Sequence, residues 1–135
     1  EGRNLTFGVI SFYKAQSELI KRELSSLDVG QDRLRVGTVD SFQGMEFDVV
    51  VLSMVRTMPD HWKPRSEDEE TQARSLFGHL CLYNRLNVSM SRQKRLLAVA
   101  GDPGLLQNAL AAKYIPALVD FYNLCLRHGR VLPCC

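Results

Sequence analysis

VGTVDSFQGMEFDVVVLSMVR, residues 36–56, decides the fold. An apolar, β-branched run (Val36, Thr38, Val39) stops at Asp40, a small polar turn containing Gly44 follows, and a second apolar run resumes at residues 49–52. That is a strand, a turn fit to carry chemistry, and a strand whose unbroken apolar character suits burial on both faces. Its counterpart is YNRLNVSMSRQKRLLAVAG, residues 83–101, where a polar helix start leads to Arg92, Lys94 and Arg95 and then to the continuous apolar run 96–100. The pattern predicts a central strand there, with Arg92 delivered just before it.

Working outward, residues 6–10 (TFGVI) form a short apolar strand that passes through Ser11, Phe12 and Tyr13 into KAQSELIKRELSSL, where Ala15, Leu19, Ile20, Leu24 and Leu27 share a helical face. A turn at residues 28–32, with Gly30 in it, releases the chain into the strand at 33–39. The next strand, 48–54, follows the turn built on Gln43 and Gly44. Strands separated by helices or crossovers predict a parallel α/β sheet flanked by helices. From 57 to 79, Pro59, Pro64 and the acidic group Glu67, Asp68, Glu69 and Glu70 break the periodicity, so this stretch is expected to be a surface insertion or lid. Helical spacing returns at Leu82, Leu86 and Met90, again after Pro103 (Leu105, Leu106, Ala109, Leu110), and finally over residues 115–126.

The chain has 135 residues, 45% of them hydrophobic, enough for one domain with a single core, and residues 1–135 are read as one. There is no long apolar stretch of the kind that spans a membrane, and residues 1–6 do not resemble a secretory signal, so an intracellular, cytoplasmic protein with no membrane partner is expected. A formal net charge of +2 permits a nucleic-acid partner without demanding one. Cys81, Cys125, Cys134 and Cys135 lack the C-x-x-C spacing of a zinc site or redox pair, and no metal site is expected.

The strings TVDSFQGMEFD (38–48) and NRLNVSMSRQKR (84–95) closely resemble motifs V and VI of superfamily 1 helicases, and specifically the RNA helicase group of nonsense-mediated decay with its bacterial relatives. FGVISFYKAQ (7–16) looks like the strand and loop that precede those motifs in the same family. The resemblance implies a C-terminal RecA-like domain, the half of a P-loop motor that closes over ATP and Mg²⁺ held mainly by an N-terminal RecA-like domain. No G-x-x-x-x-G-K-[ST] string is present, so this chain by itself brings no phosphate cradle.

Residue by residue, Arg92 matches the family's arginine finger, the catalytic group of this half, and its planar, permanently charged fork suits phosphate oxygens. Gly44 matches a glycine that lets backbone approach the nucleotide, and Glu46 a carboxylate on its ribose. Thr38 matches a hydroxyl on the nucleic-acid backbone, Tyr13 lies in a loop expected to face that strand, and Asp40 and Gln43 link the two sites.

The implied activity is an ATP-dependent helicase or translocase on single-stranded DNA or RNA, with 5′ to 3′ polarity and with the isolated chain inactive. The alternative is a non-catalytic RecA-like binding or scaffolding module. Each residue also has a plainer reading: Arg92 could complement a helix dipole, Glu46 could be a solvated turn carboxylate with Asp48 competing for its role, and Tyr13 and Thr38 could be ordinary core-edge and strand residues. Phe12 and Gln93 stand where the family usually has proline and alanine, and the 57–79 segment is longer than in the decay helicase.

Overall fold

Four strands, β1 (Phe7–Ser11), β2 (Leu34–Thr38), β3 (Phe47–Ser53) and β4 (Gln93–Ala100), form one all-parallel sheet in the order β2-β1-β3-β4. The computed structural model describes residues 4–27, 29–30 and 32–133. Asp28 and Gln31 of the predicted turn, the first three residues, and Cys134 and Cys135 lie outside the described residues. The chain divides into two compact units, Glu1–Val55 with Asn84–Gly101, and Arg56–Tyr83 with Asp102–Cys135.

The first unit holds the sheet. Parallel strands need a return path, and α1 (Lys14–Leu24) supplies it between β1 and β2. The helix does not bury the expected face: Ala15 and Leu19 are exposed, and the inward stripe is Ser17, Ile20 and Leu24. Ser17 is tolerated there because its hydroxyl donates to the Lys14 carbonyl (2.8 Å).

The return from β2 to β3 has no helix and must pass β1, which lies between them. A 3-10 turn, Val39–Phe42, carries Phe42 inward, where it meets Phe47 with ring centroids 5.3 Å apart. The pair lies so close on β1 that a Cβ at Gly8 would meet Phe42 Cε1 at 2.9 Å and Phe47 Cδ2 at 3.0 Å. Gly8 is what lets an aromatic crossover replace a helical one.

β4 corrects one expectation. It starts at Gln93 rather than 96, so Lys94 and Arg95 are strand residues, and among the described residues it is an edge strand with Leu96 54% exposed. An apolar run reports that a strand is meant to be covered, whereas its place in the sheet depends on which strands pair with it.

In the second unit, helix α2 (Glu69–Phe77) occupies part of the stretch read as patternless. Asp68 caps it by accepting from the Thr71 backbone N–H (2.8 Å), Glu69 and Glu70 sit in its first turn, and Ala73, Leu76 and Phe77 are buried. The acidic run is therefore a helix start, placed where carboxylates complement the dipole. Further on, α4 (Pro103–Leu106), α5 (Ala111–Tyr114) and α6 (Pro116–His128) follow, with Leu105, Ala111, Ile115 and Leu118 buried. Asp102 caps α4 through Gly104 N–H (2.8 Å) and also accepts from Met58 N–H (2.8 Å), while Lys113 and the Tyr114 hydroxyl bond Glu69. Between α2 and α4, α3 (Tyr83–Ser89) leads the chain back to the first unit and buries Leu86 and Ser89. No helix among the described residues is long and apolar enough to cross a membrane.

Candidate functional site

The sheet register separates the sequence-derived residues into two groups. Ser11 pairs with Thr38 and with Ser53, and Ser53 with Ala100, so all four stand at the carboxyl edge. Tyr13 follows there as the residue before α1, half-buried, its N–H donating to Ser11 Oγ (3.2 Å). Thr38 and Tyr13 therefore share one end of the sheet.

Gly44 and Glu46 do not. The crossover runs from the carboxyl end of β2 back to the amino end of β3, because the two strands are parallel, and it carries Gly44 and Glu46 to the opposite edge. The general rule for open parallel sheets puts ligands at the carboxyl ends of the strands, whereas residues 40–46 run from that end to the opposite one. Arg92 joins Gly44 and Glu46 there. The Phe47 N–H donates to the Arg92 carbonyl (2.9 Å), and the Arg92 guanidinium donates to the Val88 carbonyl (3.1 Å), Ser91 Oγ (3.1 Å) and, at 3.5 Å, the Met45 carbonyl. The contact to Met45, between Gly44 and Glu46, is the longest of the three and the easiest to exchange for an incoming acceptor.

Gly44 owes its place to backbone geometry. Met45 N–H bonds the Phe42 carbonyl (3.0 Å), Gln43 has φ −59° and ψ 127°, and Gly44 has φ 75°, which together make a type II turn. No atom lies within 4 Å of where a Gly44 Cβ would stand, so this face of the turn is open as well. Glu46 is exposed, with Lys94 Nζ 3.8 Å from its carboxylate. Asp48, its rival in the sequence, is already engaged: its Oδ2 accepts from the Thr6 N–H (2.9 Å) and Thr6 hydroxyl (3.1 Å), and Arg95 stands 3.4 Å from Oδ1. Those bonds, the Thr6 backbone first and its hydroxyl second, with Arg95 and Lys94 adding to them, hold the Asp48 carboxyl below its ordinary value against the opposing pull of burial.

The middle of the crossover supplies a residue that sequence reading passed over. Arg85 on α3 reaches Asp40 Oδ2 at 3.0 Å, tying the turn to the helix that ends beside Arg92. Arg85 lies inside the quoted 84–95 block, yet nothing in a lone arginine on a polar helix announces its partner. Gln43 is exposed. A groove of about 1060 Å³ between α1 and β2 includes Thr38 and Ser41 at one end and none of Gly44, Glu46 or Arg92. Cys81 donates weakly to the Ala73 carbonyl, and burial raises its thiol pKa, the opposite of what a reactive cysteine needs.

A family profile described as "AAA domain" matches residues 2–104. The quoted motifs, their order along the chain and the parallel sheet that carries them agree with that match. The chain belongs to the superfamily 1 helicases. Over 99 residues it is 39% identical to the RNA helicase Mov10l1 of Mus musculus, a stretch covering 73% of this chain and 8% of that protein. It is 38% identical over 106 residues to the DNA polymerase alpha-associated DNA helicase A of Saccharomyces cerevisiae (76% of this chain, 13% of that one). It is also 38% identical over 97 residues to the helicase required for RNAi-mediated heterochromatin assembly 1 of Schizosaccharomyces pombe (71% and 8%). This helicase chain thus aligns with only 8% to 13% of the length of these relatives. Its fold is the RecA-like α/β arrangement, and its motif V and VI residues occupy the two edges of one sheet.

Proposed function

We propose that this chain is the C-terminal motor half of an ATP-dependent helicase or translocase, supplying an arginine finger and part of a single-strand channel. The observation that carries the reading is the crossover itself. One short segment begins beside Thr38 and ends beside Arg92, so a shift at either end is felt at the other through a backbone braced by the Phe42–Phe47 pair and the Asp40–Arg85 ion pair.

ATP with Mg²⁺, bound chiefly by an N-terminal RecA-like domain, supplies the phosphoryl group whose transfer releases the free energy for movement. The residues of this half fit that role. Arg92 trades its long contact to Met45 for phosphate oxygens and stabilises charge that grows in the transition state. Glu46 accepts from ribose hydroxyls at the rim, and the positive-φ turn at Gly44 leaves its face open to the nucleotide. Thr38 donates its hydroxyl to a backbone phosphate and Tyr13 offers a face to a base, a mode of contact indifferent to sequence. Asp40 and Gln43 transmit between the two ends. The net charge of +2 gives a shallow electrostatic grip, so firm binding needs the other half of the channel.

The test is made in the full-length protein. Arg92→Ala is expected to lower kcat by about 10³- to 10⁵-fold, with little rescue by Arg92→Lys. Turnover within a few-fold of wild type in a folded Arg92→Ala protein would remove the finger. ATPase measured with single-stranded DNA and with RNA identifies the strand, and no ATP turnover with or without either favours the non-catalytic binding module.

A further inference from the structure

The loop after β3 has no place in the mechanism above, yet it forms a cavity. In the unit Arg56–Tyr83 with Asp102–Cys135, a pocket of about 460 Å³ is lined by Arg56, His61, Trp62, Lys63 and Arg65, with Ser75 and Leu76 of α2 among the residues that complete it. Trp62 is the only tryptophan of the chain and is half-buried, while Lys63 and Arg65 are exposed. No carboxylate is among the described residues that line this pocket. In the nearby acidic run, Asp68 bonds Thr71, Glu69 bonds Lys113 and Tyr114, and Glu70 pairs with Arg74, so these three carboxylates are engaged outside the pocket.

The pocket is also held in shape. The Trp62 N–H closes a turn on the Pro59 carbonyl (3.2 Å), and Met58 N–H is anchored to the Asp102 carboxylate (2.8 Å). At the far end the Gln72 amide of α2 donates to the Ser66 carbonyl (2.7 Å). Pro59 and Pro64 restrict the backbone between these anchors, so little ordering remains to oppose a ligand.

An indole face beside two exposed cations is the chemistry that holds a base and its phosphates. We propose that this pocket takes one nucleotide of a single strand, with the base stacked on Trp62 and the flanking phosphates on Lys63 and Arg65. The inference rests on the motor reading above and adds to it a second grip on the strand, carried by the loop after β3. Stacking accepts any base, so the grip is independent of sequence.

The test uses the full-length protein, labelled dT and U homopolymers at two salt concentrations, and a competition with free UMP. Trp62→Ala is expected to weaken strand binding about five- to a hundredfold, with Trp62→Phe retaining most of the affinity. Lys63→Gln with Arg65→Gln, both at exposed positions, is expected to lower the log–log salt slope by about 2. Wild-type affinity and slope in both Trp62→Ala and the double variant would overturn the pocket while strand-stimulated ATPase kept the motor reading intact. Competition by UMP as strong, per nucleotide, as by the strand would also overturn it, in favour of a mononucleotide site. A wild-type protein whose ATPase ignores every strand would remove the motor reading, and the pocket with it.

Discussion

Val55 holds φ at 66°, a left-handed value that a β-branched side chain rarely adopts, at the point where β3 ends and the chain turns toward Arg56. Gly44 sits in the same region of backbone space at φ 75° without steric cost, because it has no Cβ. The strain at Val55 is of the order of 1–2 kcal/mol, and the side chain is 42% exposed, so little burial is lost on replacing it. Val55→Asn is therefore expected to stabilise the protein by about 1 kcal/mol, since asparagine tolerates this conformation. Chemical denaturation of the two proteins checks it, and a lower midpoint for the variant would mean that the surroundings repay the strain. Gln93 shows a different imbalance: it stands where the β3–β4 register shifts, next to Arg92, and its side-chain Oε1 is buried without a hydrogen-bond partner among the described residues.

Strand β3 is pinned at its start by Asp48, whose carboxylate takes both the N–H and the hydroxyl of Thr6, while its own N–H donates back to the Thr6 hydroxyl (3.0 Å). The folded protein depresses this carboxyl's pKa, so the stabilisation it gives is complete above the ordinary, unfolded value near 4 and is lost as pH falls through the lower folded value. Wild type should thus exceed Asp48→Asn in stability at neutral pH, with the gap closing only in acid, below about pH 4. A gap that stayed constant from pH 7 to pH 2 would show that the clip does not depend on the charge. Elements of this kind also mark where the sequence could and could not be read. β1, β2 and β3 were legible because their apolar runs are short and bounded by turns. Helix α2 was not, because two prolines precede it and its buried residues, Ala73, Leu76 and Phe77, fill barely two turns; the one usable signal was Asp68 three positions before Thr71, a capping pattern. The two motifs were legible as strings of the family, but the division of their residues between two sheet edges was not, since that follows from β2 and β3 running parallel with β1 between them.

At the scale of the whole chain, the sheet ends among the described residues with β2 at one edge and β4 at the other, and the apolar run of β4 is left with Leu96 more than half exposed. The charge distribution is equally one-sided in function. Arg92, Lys94 and Arg95 cluster at the amino edge of β3 and β4, where Lys94 faces Glu46, Arg95 faces Asp48 and Arg92 bonds only uncharged acceptors among the described residues, and no string in the sequence can wrap a triphosphate in backbone N–H groups. Phosphoryl transfer depends on a phosphate cradle and a held metal at least as much as on a finger, and those parts act as a unit, so a finger alone recovers almost none of the rate. The 135-residue chain purified alone is therefore expected to hydrolyse ATP no faster than buffer does, with or without single-stranded nucleic acid. Joining it to the N-terminal RecA-like domain should restore turnover that depends on Arg92. The measurement is phosphate release from the isolated chain, from the joined protein and from the joined protein carrying Arg92→Ala. Turnover by the isolated chain that survives further purification and persists in Arg92→Ala would place a complete catalytic site within these residues, and the two-half reading of this helicase would fall.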